Sequence, residues 1–206
     1  MSVTMTQISL ARPVPEGGSR DRLRRAARTL FVERGYHETR PQDIARLAGV
    51  ANGTFYLHFG DKQQAFLDFA EQAQNELLHL MSERLRSVHG RRDRWQETIG
   101  ALVDFSTEHP GLLQAAFIDP VFVAPRDDNA WQMYDRLGHL VSVALEEEAA
   151  SGYDLTMISH GICGLLRHAM TYAGRSQMDR QKMIEELSRF IDSGLMGGLC
   201  DQEEDT

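Results

Sequence analysis

Lysine is nearly missing from this chain of 206 residues: Lys62 and Lys182 are its only two, and arginine supplies the other positive charges. The bias fits a GC-rich genome and leaves function open. Cysteine is as scarce. Cys163 and Cys200 are spaced like neither a zinc knuckle nor a disulfide framework, so a reducing cytoplasm is the expected setting. The eight histidines never fall in a metal-ligand spacing such as HxxxH, so no metal is expected. No apolar run is long enough for a bilayer span, and the first nineteen residues lack the continuous apolar run of a signal peptide. No segment alternates apolar and polar residues with period two, and no internal repeat is present, which excludes a sheet and a solenoid. Nor is there an ordered Ser/His/Asp set, a Cys/His pair or a phosphate-cradling glycine loop. An enzyme is therefore not expected, nor a cofactor.

What is present is unevenly charged. The net charge is −8, yet residues 1–60 carry nine arginines against five acids and stand at +4, leaving −12 on the remainder. A basic head on an acidic body fits a polyanion-binding module attached to a part that avoids the same polyanion.

The pattern predicts an all-α chain of about nine helices. Residues 1–18, punctuated by proline and glycine, read as a mobile arm. Ser19 is placed to cap a first helix with the apolar stripe Leu23, Ala26, Ala27, Leu30 and Phe31, and Gly35 supplies its exit. Pro41 suits the first turn of a short second helix, which Gly49 ends. A third covers about 52–59 and stops at Gly60. Asp61 with Gln64 opens a long fourth helix over about 62–86. A fifth is expected over 93–109, a sixth from Pro110 to before Pro120, and a seventh over 130–150. Asp154 caps an eighth reaching about Ala173, and a ninth covers 180–196. The division is a head at 19–64, a body at 65–200 and an acidic tail at 201–206.

Within the head, the stretch "GVANGTFYLHFGDKQ" crowds Phe55, Tyr56 and Phe59 onto one short element. Two short helices that cross at a glycine turn need a small residue at the crossing and an apolar wedge behind it. Ala45 and Gly49 meet the first need; Ile44, Ala48, Val50 and Phe55 meet the second. This is the packing of a helix-turn-helix, whose second helix enters the major groove of DNA. The run "AARTLFVERGYHETRPQDIARLAGVANGTFYLHFGDKQQAF" resembles the N-terminal domain of the TetR family of bacterial transcriptional regulators. The match lies in Leu30-Phe31 to Gly35-Tyr36, Thr39, Ile44-Ala45, Ala48-Gly49-Val50, Gly53 to Tyr56, His58-Phe59 and Lys62.

That resemblance implies roles. Thr39 would touch phosphate near the start of the second helix. Asn52, Gly53, Leu57 and His58 would face the groove, with Asn52 and His58 able to read base edges and Leu57 a thymine methyl. Thr54, Tyr56 and Lys62 would hold phosphates. Arg20, Arg22 and Arg24 could track phosphates or enter the minor groove. Two positions depart from the family pattern. Arg40 and Ala51 stand where a small hydroxyl cap is usual, and Arg40 is a further phosphate candidate. Phe55 and Phe59 are expected in the core.

In the body, Gly161, Gly164, Ala169 and Ala173 would let helices approach closely, and Ile184, Leu187, Phe190, Ile191 and Leu195 form an apolar stripe. The eighth and ninth helices would thus build a four-helix homodimer interface, as the resemblance implies, setting two recognition helices roughly 34–36 Å apart on a pseudo-palindromic operator. Phe105, Phe117, Phe122, Trp131, Met133, Tyr134, Met170 and Tyr172 are candidates to line an effector cavity. His160, Cys163 and Arg167 share a helix face and could orient a ligand's polar end, or face a dimer interface or solvent. The expectation is a ligand-responsive DNA-binding repressor, released from double-stranded DNA by a small, largely apolar effector and having no membrane partner. The alternatives are an activator, a regulator needing no ligand, and an all-α enzyme.

Overall fold

The computed structural model describes residues 17–118, 126, 128, 131–132, 135–136, 138, 141 and 154–200. Among these residues eight helical elements have described bounds, residues 128, 131–132, 135–136, 138 and 141 are helical as well, and there is no strand. The eight are α1 (Ser19–Glu38), α2 (Pro41–Leu47), α3 (Asn52–Phe59), α4 (Lys62–Leu85), α5 (Arg91–Glu108), a π-helical segment (Gln114–Ile118), α6 (Leu155–Ser176) and α7 (Arg180–Cys200). The expected eighth and ninth helices are α6 and α7. Most of the expected seventh, nearly all of the arm and the whole acidic tail lie outside the described residues.

Local chemistry sets most of the boundaries. Asp61 and Asp154 accept hydrogen bonds from the backbone N–H groups of Gln64 (2.8 Å) and Met157 (3.1 Å), satisfying orphan donors at the starts of α4 and α6. Pro41 occupies the first turn of α2, where its missing N–H costs nothing. Gly35 breaks α1 at φ 74° and ψ 176°, a conformation that side chains disfavour. Two expectations need correction. Ser19 does not cap α1: Gly18 holds that position and the serine hydroxyl goes elsewhere. The sixth helix does not run from Pro110, because Gly111 turns left-handed at φ 79° and the chain then winds into the π-helical segment. A Cβ on Gly111 would lie 3.2 Å from Val32 Cγ1, so this turn is pressed onto α1.

The head has no core of its own. Leu23, Ala26, Ala27, Leu30 and Phe31 of α1 are all buried, with Ile44, Ala45, Ala48, Phe55 and Phe59 of α2 and α3. Phe31 meets Phe66 edge-on at 5.0 Å and Phe69 at 5.6 Å between ring centres, which locks α4 beneath the head. The same cluster continues through Phe105, Leu112 and Phe117. A second cluster holds Trp95, Ile99 and Val103 of α5 against Ile162 and Leu166 of α6 and Met183, Ile184 and Ile191 of α7. Each large side chain so buried contributes roughly 1.5–3 kcal/mol. α5 lies between α4 and α7. Asp104 ties all three, at 2.8 Å from Arg84 and 2.7 Å from Arg180.

Candidate nucleic-acid interface

Sequence alone sorts the two faces of α3. Val50 N–H donates to the Ala45 carbonyl (3.0 Å), which closes the turn and sets α3 across α2. Phe55 and Phe59 then point inward and are buried. Asn52, Gly53, Tyr56 and Leu57 point outward, with Leu57 81% exposed and Tyr56 45%. A leucine left so bare on an ordered helix contributes nothing to the core. Ala51 offers no side-chain cap; Thr54 N–H donates to the Ala51 carbonyl (2.9 Å), and the amides of Asn52 and Gly53 precede it at the positive end of the helix dipole. Gly53 presents open space where a Cβ would stand, and a phosphate can approach that backbone closely. Arg40 is exposed at the mouth of α2, and Thr54 is half-buried beside Tyr56.

Other expected contacts are taken up by the protein itself. Thr39 is corrected outright: it is 0% exposed, and its hydroxyl hydrogen is shared between the carbonyls of Gly35 (2.8 Å) and Leu30 (3.1 Å). Its role is to close the chain over the break at Gly35. His58 is half-buried, with Nε2 2.7 Å from the Ser19 hydroxyl rather than turned to a groove. Lys62 donates to the Tyr36 carbonyl at 3.0 Å, and burial lowers its pKa. Arg24 forms a two-pronged pair with Asp68 (2.6 and 3.0 Å), and Arg20 approaches the same carboxylate at 3.6 Å. Arg24 is therefore engaged with α4, whereas the Arg20 side chain is 55% exposed.

Those acidic partners were missed. Arg28 likewise grips Glu76 at 2.6 and 2.8 Å, so a ladder of ion pairs joins α1 to α4. The signal was legible: Arg20, Arg24 and Arg28 recur every fourth residue along one helix face, as Asp68 and Glu76 do at twice that interval.

The body candidates do not converge. Phe105 and Phe117 are buried in the core cluster shared with the head, whereas Trp131 is 47% exposed. Phe122, Met133 and Tyr134 lie outside the described residues. His160 Nε2 is 3.2 Å from Asp135, and Arg167 is half-buried on the same helix. Burial pushes the Cys163 thiol up to about 12. Of the described candidates, Phe105, Phe117, Trp131, His160, Cys163 and Arg167, none lines either of two clefts along α4. The smaller, about 350 Å³, is polar and holds Arg20, His58, Asp68, Glu71 and Arg136. The larger, about 990 Å³, runs along Leu78, Met81 and Leu85. The dimer stripe on α7 divides: Ile184 and Ile191 face the core, Phe190 is 65% exposed, and the Leu195 side chain lies outside the description. On α6, Met157 and Tyr172 are exposed, Gly161 and Gly164 have open space above them, and Ala173 is buried.

Residues 23–68 match the family described as bacterial regulatory proteins, tetR family. The chain is 32% identical over 92 residues to the HTH-type transcriptional activator FasR of Mycolicibacterium smegmatis, covering 45% of this chain and 42% of FasR. It is 23% identical over 183 residues to the HTH-type transcriptional regulator YerO of Bacillus subtilis, covering 84% of this chain and 61% of YerO. The chain thus spans less than two thirds of the length of either relative. Its fold matches that of the transcriptional regulator FadR from Bacillus subtilis, solved in complex with stearoyl-CoA. There the TM-score is 0.66 at 18% identity, over 84% of this chain and 98% of FadR.

Proposed function

We propose that this chain, a member of the tetR family of bacterial regulatory proteins through residues 23–68, is a ligand-responsive DNA-binding transcriptional regulator. It works in the cytoplasm as a homodimer on a pseudo-palindromic operator. The observation that carries this reading is the outward face of α3, where Asn52, Gly53, Tyr56 and Leu57 stand clear of the core. Leu57 meets a thymine methyl, and Asn52 meets a base edge or caps the helix. Thr54, Tyr56 and Arg40 hold phosphates and fix the register, and Lys62 adds the N–H left over from its carbonyl bonds. The exposed Phe190, Tyr172 and Met157, with the open glycines of α6, form the dimer face.

The effector is small and largely apolar. The stearoyl-CoA bound by FadR is consistent with a long acyl chain. Because one core cluster joins α1 to α4 and α5, a ligand that binds the body must repack residues the head also uses. The ligand favours DNA release only by binding the DNA-incompetent arrangement more tightly. Release of this kind makes the protein a repressor. The 32% identity to the activator FasR supports a second reading, in which the operator's position relative to the promoter turns the same binding into activation.

A gel shift with DNA flanking the protein's own gene tests this. The parent should retard a palindromic fragment, whereas Tyr56→Phe with Leu57→Ala should lose roughly 2–4 kcal/mol of operator affinity, about two such contacts. Undiminished binding by that double variant would remove the α3 face from the interface.

A further inference from the structure

The larger cleft beside α4 has a chemistry of its own. Leu78, Met81 and Leu85 fall three and four residues apart, so they form one apolar strip roughly 10 Å long on the helix. Arg94 and Arg136 line the same cleft, as does Arg86, whose Nη2 is paired with Glu83 Oε1 at 2.5 Å. One carboxylate, Asp135, is also present among the described lining residues, but its Oδ1 lies 3.2 Å from His160 Nε2 on α6. An apolar strip bordered by guanidinium groups, in a cleft of about 990 Å³, suits neither a purely apolar nor a cationic ligand. Guanidinium is matched in shape and charge by carboxylate and phosphate.

We infer that this cleft binds an anionic amphiphile, with its alkyl chain laid along α4 and its carboxylate or phosphate on the guanidinium groups, and that Arg136 is the headgroup anchor. The inference rests on the effector-responsive reading above and sharpens it by giving the effector a charge and a place. Arg136 Nη2 is bonded to Glu71 Oε1 of α4 at 2.8 Å, and Arg136 borders the smaller polar cleft as well. An anionic headgroup and Glu71 therefore compete for one guanidinium. Glu71 stands one helical turn beyond Asp68, the carboxylate that holds Arg24 of the head. Taking Arg136 from Glu71 alters the charge balance beside that ion pair.

Isothermal titration calorimetry of the full chain with dodecyl phosphate, dodecanoate and dodecanol, each below its micelle concentration, tests the assignment. Both anions should bind at least tenfold more tightly than the alcohol. Arg136→Gln should cut that preference by at least fivefold, and Glu71→Gln should tighten dodecyl phosphate binding severalfold by freeing the arginine. Both side chains are nearly half exposed, at 44% and 49%, so neither variant compromises folding. Equal affinity for dodecyl phosphate and dodecanol, or an unchanged preference in Arg136→Gln, would overturn the proposal. A parallel gel shift keeps the two readings apart. Anion-selective binding without operator release upholds the site and refutes effector control; operator release by another compound, with no anion bound, refutes the site alone.

Discussion

The ammonium of Lys62 lies 3.0 Å from the backbone carbonyl of Tyr36 and 4.2 Å above the centre of the same residue's ring. One side chain thus joins the entry of α4 to the last carbonyls of α1, where the Tyr36 carbonyl also accepts from Thr39 N–H at 3.3 Å. Two carbonyls share the ammonium, the second being His37 at 3.5 Å. Lys62→Ala should therefore act twice. It should destabilise the fold by about 1–2 kcal/mol, from a charged hydrogen bond and a cation–π contact that are both partly wet. It should also lower the slope of log affinity for operator against log salt by about 0.9, the share of one phosphate. Urea titration reads the first effect and salt-dependent gel shifts the second. A steady slope would confine Lys62 to its structural role.

Thr39→Val separates structure from recognition at the neighbouring position. Valine keeps the shape and removes a hydroxyl on which the carbonyls of Leu30 and Gly35 depend. A loss of about 1–3 kcal/mol in folding stability is expected. The operator affinity of the folded protein and its salt slope should stay as they were, because the side chain is sealed from solvent. A changed slope would return Thr39 to the phosphate contacts.

How far these roles could be read from sequence depends on the kind of interaction. Periodicity gave the stripe from Leu23 to Phe31 and the inward turn of Phe55 and Phe59, because apolar spacing on a helix has one stable orientation. The caps at Asp61 and Asp154 were legible for the same local reason. Polar partners distant in sequence were not. A threonine or lysine in a DNA-binding motif fits a phosphate and a backbone carbonyl equally well, and only the fold places Tyr36 beside Lys62. The aromatic residues of the body are a different case. Phe105 and Phe117 have the composition of a cavity wall and are buried in the core cluster that continues into the head.

Asp104 gives a prediction about acidity. Burial opposes its charge, but hydrogen bonds from Arg84 and Arg180 outweigh that and hold its carboxyl below the usual range. A carboxylate depressed in the folded state adds stability that is full above the unfolded pKa, about 3.9, and is lost as pH falls through the folded value. Asp104→Asn should therefore cost about 1–3 kcal/mol near neutral pH, since two guanidinium partners are left behind. The gap between parent and variant should narrow on acidification below about pH 4. Denaturation midpoints at pH 7 and pH 3 measure it, and a gap that does not change with pH would show that the triad contributes by packing alone.

Phe190 separates the two uses of α7. Ile184 and Ile191 are 5% and 4% exposed and serve the second core cluster, whereas Phe190 on the same helix is 65% exposed. A monomer gains nothing from that ring in water; a partner helix packed over it would remove its apolar surface at roughly 25 cal/mol per Å². Phe190→Asp should leave the thermal midpoint of the isolated chain within a few degrees, because no core contact is lost. In sedimentation it should weaken dimerisation at least tenfold, a change of about 1.4 kcal/mol. Operator affinity should fall with it, since one recognition helix alone lacks the second half-site. A variant that still sediments as a dimer would move the interface off this face of α7, and the spacing of the two α3 helices would then have to be set by other surfaces.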